Sequence, residues 1–233
     1  MSSPIWPCAG SPISPGSSAK PWKPPASRTE ARVVEAPRVV LASSNPGKLR
    51  EFAALLAGVP VRLRNASPEE LAALPEEGDQ YEANARAKAV TVAQASGLPA
   101  LADDSGLEVD GLGGAPGPLS ARYGGDPLDD AGRVARLLAA LAERPGAARN
   151  ARFVCVAALA LPDGTVHIRR GECPGRILPE PRGEGGFGYD PVFEPEGHTR
   201  SLAELPADLK NSLSHRGRAL AGLTEELTRL SGG

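Results

Sequence analysis

The sequence predicts one domain of the α/β or α+β class, built around a mixed β-sheet. The chain has 233 residues, of which 41% are hydrophobic, so one ordinary core can form. Apolar runs typical of strands are interspersed with segments that have helical periodicity. These elements do not alternate strictly as βαβ units, which favours a mixed sheet over a purely parallel one.

In the first half of the chain, short patterns predict two strands and two helices. Residues 38–42 have the pattern of a buried strand, and residues 46–57 that of a helix, with a polar loop between them. Residues 59–66 predict a second strand. Residues 81–97 have helical periodicity and end at a glycine, a frequent helix terminator.

The second half predicts a helix, a pair of strands and a final helix. Residues 127–143 form an amphipathic pattern with acidic residues early and arginine later, as the helix dipole favours. Residues 151–173 predict two strands around a Pro-Asp-Gly turn. A helix is predicted from about residue 213 to residue 230.

The first 36 residues differ in composition from the rest of the chain. They are rich in Pro and Ser and lack hydrophobic periodicity, so they cannot bury enough apolar surface to offset the entropy of ordering. We predict a disordered extension over residues 1–36 and a folded domain over residues 37–233. A transit peptide is the alternative, since the segment is basic and Ser-rich, but its proline density disfavours an amphipathic helix.

Charge and cysteine content exclude several function classes. The net charge of -2 leaves no broad basic field, so we expect no nucleic-acid partner. No apolar run reaches the roughly 20 residues of a membrane helix, so we expect no membrane partner. Cys8, Cys155 and Cys173 lie far apart and form neither a disulfide framework nor a CxxC clamp, which fits a reducing compartment. We therefore expect a cytoplasmic protein.

The segment "ASSNPGK", residues 42–48, joins the first strand to the first helix. Lys48 falls in the first helical turn, where backbone N–H groups and the helix dipole favour anions. The segment is not a Walker loop, because Ala42 and Leu49 do not match that pattern. It is either a phosphate-binding loop or an ordinary capped turn.

Two further polar groups lie on and before the helix at residues 81–97. Asn84 and Lys88 are four residues apart and share one helical face. Glu76 and Glu77, in the loop just before, could reach a cation. A solvated helix face and ordinary loop acids are the alternatives.

The stretch "ALADDSGLEVDGL", residues 100–112, carries two adjacent aspartates within apolar surroundings. If a short strand runs into a turn here, Asp103 and Asp104 point to opposite faces, and only one can join a given site. That carboxylate could hold Mg²⁺ or accept a proton from water. The other would fix the turn through nearby N–H groups.

Residues 183–193 and 210–220 form the last polar cluster. Aromatic residues are only 4% of the chain, yet Phe187, Tyr189 and Phe193 occur together among glycines. A flat aromatic ring can stack on a nucleobase. Donors and acceptors suited to a base edge follow, namely Asp190, His215 and Arg216. A bulged hairpin that packs on the core is the alternative.

Together the motifs "SSNPGK", "EANARAKA", "LADDSGLEVDGLGGAPGPLSARYGG", "GGFGYDPVF" and "LKNSLSHRGRAL" resemble one family. In this order they closely resemble the noncanonical purine nucleoside triphosphate pyrophosphatases, the inosine triphosphatase or Ham1-like family. The resemblance extends from about Arg38 to Leu230. It implies an elongated α/β fold with a long mixed sheet flanked by helices, and two lobes with a central nucleotide cleft.

The resemblance also implies the reaction and its participants. Water and Mg²⁺ would convert dITP, ITP or XTP to the monophosphate and pyrophosphate, which removes deaminated purines from the nucleotide pool. The enzyme would be a homodimer. Two rivals remain open: a nucleotide sensor without catalysis, and a pyrophosphatase for other modified or pyrimidine nucleotides.

Site residues carry over from the family motifs position by position. Asp104 would activate water and bind the metal, with Glu76, or its neighbour Glu77, as a further metal ligand. The triphosphate would be held by Ser43, Ser44, Asn45, Pro46, Gly47 and Lys48, with Asn84, Lys88 and Ser105 beside it. The base would be held by Phe187, Gly188, Tyr189 and Asp190, with Lys210, His215 and Arg216 closing over it. Ser43-Ser44 stands where the family often has Thr-Gly, and Ser44 has less backbone freedom than glycine.

Overall fold

A computed structural model describes residues 35–125 and 128–232 of the chain. The strands are β1 (Arg38–Leu41), β2 (Arg62–Asn65), β3 (Ala100–Val109), β4 (Pro116–Gly117), β5 (Asn150–Ala160), β6 (Val166–Ile177) and β7 (Phe193–Pro195). The helices are α1 (Pro46–Leu55), α2 (Pro68–Ala72), α3 (Tyr81–Ser96), α4 (Asp130–Ala142), α5 (Ala207–Leu213), α6 (His215–Ala221) and α7 (Thr224–Arg229). Within these described ranges, no helix has both the length and the apolar character needed to cross a membrane. Residues 1–34 of the predicted extension lie outside the described residues.

The strands form one mixed sheet in the order β2-β1-β3-β5-β6-β7, with β4 paired to β3. β1 runs parallel to both of its neighbours. The pairs from β3 to β7 are antiparallel. The long β5–β6 hairpin turns at Pro162-Asp163-Gly164, as predicted. The predicted mixed sheet flanked by helices is therefore confirmed.

The predicted turn at the aspartate pair is wrong. β3 continues through Asp103 and Asp104 to Val109, and both aspartates pair in register with β5, opposite Ala157 and Val156. The strand can continue because each carboxylate meets cations from elements that are distant in the sequence. A sequence pattern could not reveal those partners.

Helices cover both faces of the sheet around β3. On one face, α3 packs Ala85, Ala89 and Val92 against β3 and β5. On the other face, Phe52 of α1 and Leu220 of α6 pack against β1, β3 and β5. Burying a side chain such as Phe52 contributes about 1.5–3 kcal/mol. The center of β3 is therefore held between two layers of helix.

The single helix predicted from about residue 213 to residue 230 is also wrong, because this region holds two helices, α6 and α7, and a further helix, α5, ends at Leu213. Ser214 ends α5 and caps α6, where its Oγ accepts a hydrogen bond from the Gly217 N–H at 2.9 Å. The α6 backbone lies directly on β6 at Gly171, where any Cβ would collide with the His215 carbonyl oxygen. This close approach brings the start of α6 to the sheet.

Candidate active site

A cavity opens where the β1–α1 loop, the middle of β3, the loop before β7 and the start of α6 meet. The predicted site residues that line it are Asn45, Lys48, Ser105, Phe187, Gly188, Tyr189, Asp190, His215 and Arg216. They come from four segments that are distant in the sequence. The cavity therefore unites parts of three predicted clusters, whereas Asp104, Asn84 and Lys88 are not among the described residues that line it.

The loop at residues 43–48 is a capped turn that also presents a cation. The Asn45 Oδ1 accepts hydrogen bonds from the N–H groups of Gly47 at 2.8 Å and Lys48 at 3.1 Å. The Lys48 Nζ lies 3.0 Å from the Asp103 Oδ2, and its side chain is 16% exposed. The two readings of this loop are therefore compatible: the cap fixes the turn, and Lys48 faces the cavity.

Asp103 and Asp104 lie on opposite faces of β3, as the alternation of a strand requires. Asp103 contacts Lys48 and Arg216. Burial alone would raise the pKa of Asp103, but Lys48, Arg216 and Lys88 outweigh burial and hold that pKa well below its usual range. The expectation that Asp103 faces away from the site and fixes a turn is therefore wrong. Asp103 is an ionised group within the site.

Asp104 lies on the α3 face of the strand. Its carboxylate accepts hydrogen bonds from the Asn84 Nδ2 at 2.9 Å and the Lys88 Nζ at 3.3 Å. Burial raises the pKa of Asp104, and Glu77 adds to this, although Lys88 and Asn84 oppose it. A carboxylate with a raised pKa is better suited to accept a proton than an ordinary one.

In the loop before α3, Glu77 contacts Lys88, whereas Glu76, the residue predicted as a metal ligand, does not. The Lys88 Nζ lies 2.6 Å from the Glu77 Oε1, so Lys88 bridges Glu77 and Asp104. Asn84 ties the loop down through two hydrogen bonds to the Gly78 backbone. Glu76 is exposed and has no hydrogen bond or ion pair to the described residues.

A row of alternating charges connects the β1–α1 loop to the loop before β7. The Lys48 Nζ contacts Asp103, which accepts hydrogen bonds from the Arg216 Nε and Nη2 at 3.4 and 3.3 Å. Arg216 also pairs with Glu51, and the Lys210 Nζ lies 2.6 Å from both Glu51 and Asp190. We call this row the charge chain; its members are Lys48, Asp103, Arg216, Glu51, Lys210 and Asp190. All of them except Lys48 are buried.

Arg216 lies beneath the cavity and its side chain is only 1% exposed. Besides Glu51 and Asp103, its Nη2 donates to the Ser105 Oγ at 3.1 Å. A guanidinium has five N–H donors, so one N–H on Nη1 has no described partner. Arg216 can therefore offer at most one donor to a ligand while the charge chain is intact.

The loop before β7 places an aromatic ring against the start of α1. A Cβ added to Gly47 would lie 2.6 Å from the Phe187 ring, so the two segments touch. The Lys210 Nζ is 5.0 Å and the Arg216 Cζ is 5.8 Å from the ring centroid, within cation–π range. The Asp190 Oδ2 accepts a hydrogen bond from the Phe187 N–H at 2.8 Å, which fixes the loop.

Tyr189 and His215 pack into the walls of the cavity. The buried Tyr189 donates its hydroxyl to the Ser120 carbonyl at 2.8 Å and so anchors the loop to the core. The His215 ring stacks on Phe153 with centroids 4.8 Å apart. Burial, together with Arg216, lowers the pKa of His215 well below its usual value, so the ring is neutral.

Comparison with known proteins identifies the family to which these motifs belong. Residues 39–226 match the profile of the Ham1 family. The chain belongs to the Ham1 family. A dITP/XTP pyrophosphatase from Deinococcus deserti is 51% identical over 196 residues, which cover 84% of this chain and 91% of that protein. A dITP/XTP pyrophosphatase from Streptomyces coelicolor is 46% identical and covers 84% of this chain and 99% of its own length.

Solved Ham1 structures share the fold. A HAM1 protein from Coxiella burnetii has a TM-score of 0.73 and 41% identity, over 82% of this chain and 98% of its own. The Staphylococcus aureus Ham1 protein has a TM-score of 0.70 and 35% identity, over 82% and 97% of the two chains. The sequence-based assignment to this family is therefore confirmed.

Several residues that line the cavity or contact its lining were not predicted as site residues. They are Glu51, Asp103, Ser120, Asp130, Arg133 and Phe153. Glu51 had a signal, since it lies three residues after Lys48 and so shares that helix face. Asp130 had none: its Oδ2 accepts a hydrogen bond from the Gly188 N–H at 2.7 Å, across 58 residues of sequence.

Proposed function

We propose that this Ham1-family chain hydrolyses deaminated purine nucleoside triphosphates, namely dITP, ITP and XTP, to the monophosphate and pyrophosphate. Its role would be to remove deaminated purines from the nucleotide pool. The observation that carries the proposal is the buried Asp104 carboxylate, held by Asn84 and Lys88 one residue after the Asp103 that pairs with Lys48. The activity named for the relatives from Deinococcus and Streptomyces supports it.

The triphosphate binds at the start of α1. Its negative charge is offset by Lys48 and Lys88, and the dipole of the helix N-terminus adds to this. Lys48 exchanges Asp103 for a phosphate oxygen when the substrate arrives. These local charges explain how a protein with a net charge of -2 could bind a polyanion.

The carboxylates of Asp104 and Glu77 fit a Mg²⁺ ion that arrives with the substrate. Both contact the Lys88 Nζ, at 3.3 and 2.6 Å, so their oxygens converge on one region. Mg²⁺ is usually held by one or two carboxylates together with substrate phosphates. Among the described residues there is no cluster of three or more His, Cys, Asp or Glu that could hold a metal alone. When bound, Mg²⁺ would offset the charge that develops on the leaving pyrophosphate.

Asp104 acts as the general base. A water oxygen attacks the α-phosphorus while its proton passes to the Asp104 carboxylate. The new P–O bond forms as the bond to the bridging α–β oxygen breaks, and that electron pair leaves with pyrophosphate. The hydrogen bonds from Asn84 and Lys88 hold the carboxylate in position for this transfer.

The nucleobase of the substrate binds against Phe187, between the loop before β7 and the start of α6. Hypoxanthine and xanthine carry an acceptor at position 6, where adenine carries a donor. The remaining Nη1 N–H of Arg216 and backbone N–H groups pair with that acceptor. Adenine would leave these donors unpaired, at a cost of about 1–3 kcal/mol per group.

Three organisational features complete the proposal. A homodimer rests on the family resemblance, and light scattering behind a sizing column would test it. A cytoplasmic location is supported by the buried free thiols of Cys155 and Cys173. The extension at residues 1–36 would lie outside the catalytic domain, because the family match begins at residue 39.

The test is pyrophosphate release from dITP, XTP, GTP, ATP and dTTP, each with Mg²⁺ and with EDTA. The proposal expects Mg²⁺-dependent release from dITP and XTP and little from the other nucleotides. Tight binding of dITP without release would instead indicate a nucleotide sensor. Preferential release from dTTP would indicate a pyrimidine pyrophosphatase.

A further inference from the structure

Asp103 links two residues that line the cavity, Lys48 and Arg216. One oxygen, Oδ2, accepts from the Lys48 Nζ at 3.0 Å and from the Arg216 Nη2 at 3.3 Å. The other oxygen, Oδ1, is buried and has no partner among the described residues. The reaction described above gives Asp103 no chemical role, yet it is more deeply buried than Asp104.

Beyond Arg216, the charge chain continues to the base-binding loop. Glu51 links Arg216 to Lys210, and Lys210 contacts Asp190. Asp190 in turn accepts a hydrogen bond from the Phe187 N–H at 2.8 Å. Each buried charge thus has a partner of opposite sign, and displacing one leaves its neighbour uncompensated.

We propose that Asp103 is a positioning residue that couples occupancy of the base end of the cavity to the position of the Lys48 ammonium at the phosphate end. The proposal rests on the proposed function for the identity of the two ligand halves. It extends that function by assigning the coupling of base and phosphate binding to one residue.

Asp103 loses part of its charge compensation when phosphate binds. When Lys48 turns from the Asp103 Oδ2 toward a phosphate oxygen, Asp103 keeps only Arg216 as a cation in contact, and a buried carboxylate with less compensation is costly. Arg216 can compensate Asp103 only while it is held in place through Glu51 and Lys210. A nucleobase that packs on Phe187 excludes water from this end of the charge chain and so strengthens the ion pair between Arg216 and Asp103, which lowers the cost of releasing Lys48. Base and phosphate therefore bind with positive cooperativity, and the coupling is reciprocal.

Two separate ligands test the coupling without requiring any hydrolysis. Inosine supplies the base half, and inorganic pyrophosphate with Mg²⁺ supplies the phosphate half. Calorimetric titration of the full chain is expected to give pyrophosphate binding about tenfold tighter in saturating inosine than without it. In Asp103→Asn each ligand still binds, but the ratio of the pyrophosphate affinity with inosine to that without inosine falls to about one.

Two further variants separate coupling from general damage. Glu51→Gln interrupts the charge chain on the far side of Arg216 and should also reduce the ratio, so it carries the test if Asp103→Asn fails to fold. Lys88→Gln removes a charge at the phosphate end that contacts Glu77 and Asp104 but no member of the charge chain. This variant should bind pyrophosphate more weakly and keep the ratio. A fraction of the sample that is irreversibly unfolded lowers the number of binding sites but does not change this ratio.

The coupling measurement tests this inference, and a separate hydrolysis measurement tests the proposed function. The role of Asp103 would be overturned by a ratio of about one in wild type, by a ratio of about ten in Asp103→Asn, or by a ratio of about one in Lys88→Gln. Hydrolysis of dITP by the same preparation is measured separately. Hydrolysis without coupling overturns only the inference, and coupling without hydrolysis overturns only the enzymatic assignment.

Discussion

The neutral, buried ring of His215 makes the stability of the protein depend on pH in a way that one substitution removes. Burial, with Arg216, Lys210 and Lys48 adding to it, lowers the pKa of His215 well below the ordinary value of 6.5, against the opposing effect of Asp103. Its Nδ1 has no partner among the described residues. In the unfolded chain the same ring takes up a proton near its ordinary pKa.

The sign follows from which state binds the proton. Below pH 6.5 the unfolded chain holds a proton at this position and the folded protein does not, so the free energy of unfolding falls as pH falls. The loss approaches about 1.4 kcal/mol per pH unit, which amounts to about 2 kcal/mol between pH ~7.5 and pH ~5. It would end only at the lowered pKa of the folded state.

Urea unfolding of the wild type and His215→Phe across this pH range measures the effect. Phenylalanine retains a ring for the stack on Phe153 but cannot take up a proton. We expect the free energy of unfolding of the variant, relative to wild type, to rise by about 2 kcal/mol from pH ~7.5 to pH ~5. Circular dichroism near pH 7.5 controls for an altered fold. Parallel pH dependence in both proteins would refute the assignment of a neutral buried histidine.

Three substitutions test the catalytic parts of the site. Asp104→Asn should reduce kcat for dITP at least about a hundredfold while the melting temperature stays that of a folded protein, since only the base is removed; a kcat near wild type would contradict its role. Gly47→Ala should raise KM for dITP about tenfold, because the new Cβ lies 2.6 Å from the Phe187 ring and the ring must move; an unchanged KM would mean that the ring yields freely. Glu77→Gln should raise the Mg²⁺ concentration for half-maximal rate about tenfold, with Glu76→Gln as the matched control that leaves it unchanged; the reverse order would restore Glu76 as the ligand.

The sequence predicted the elements whose signals are local. The hairpin around Pro162-Asp163-Gly164, the helix of Lys88 and the capped turn before Lys48 each depend on a few neighbouring residues, and the structure has all three. The family motifs were equally readable, because their residue types and order are specific. These signals were enough to indicate the mixed sheet and most of the residues that line the cavity.

The sequence did not predict the long-range pairing of charges. Asp103 looked like a turn residue because two adjacent acids seldom continue a buried strand, and Arg216, which lies 113 residues away, is one of the groups that stabilise it there. Arg216 itself looked like a free donor for the base, whereas Glu51 and Asp103 occupy most of its N–H groups. No periodicity encodes which charges will meet after folding.

The identity of the products tests directly whether water attacks the α-phosphorus with Asp104 as the general base. Phosphorus NMR of dITP incubated with the full chain and Mg²⁺ distinguishes attack at the α-phosphorus from attack at the γ-phosphorus. We predict that wild type forms dIMP and pyrophosphate and that Asp104→Asn does not. Formation of dIDP and orthophosphate, or equal formation of pyrophosphate by Asp104→Asn, would contradict it.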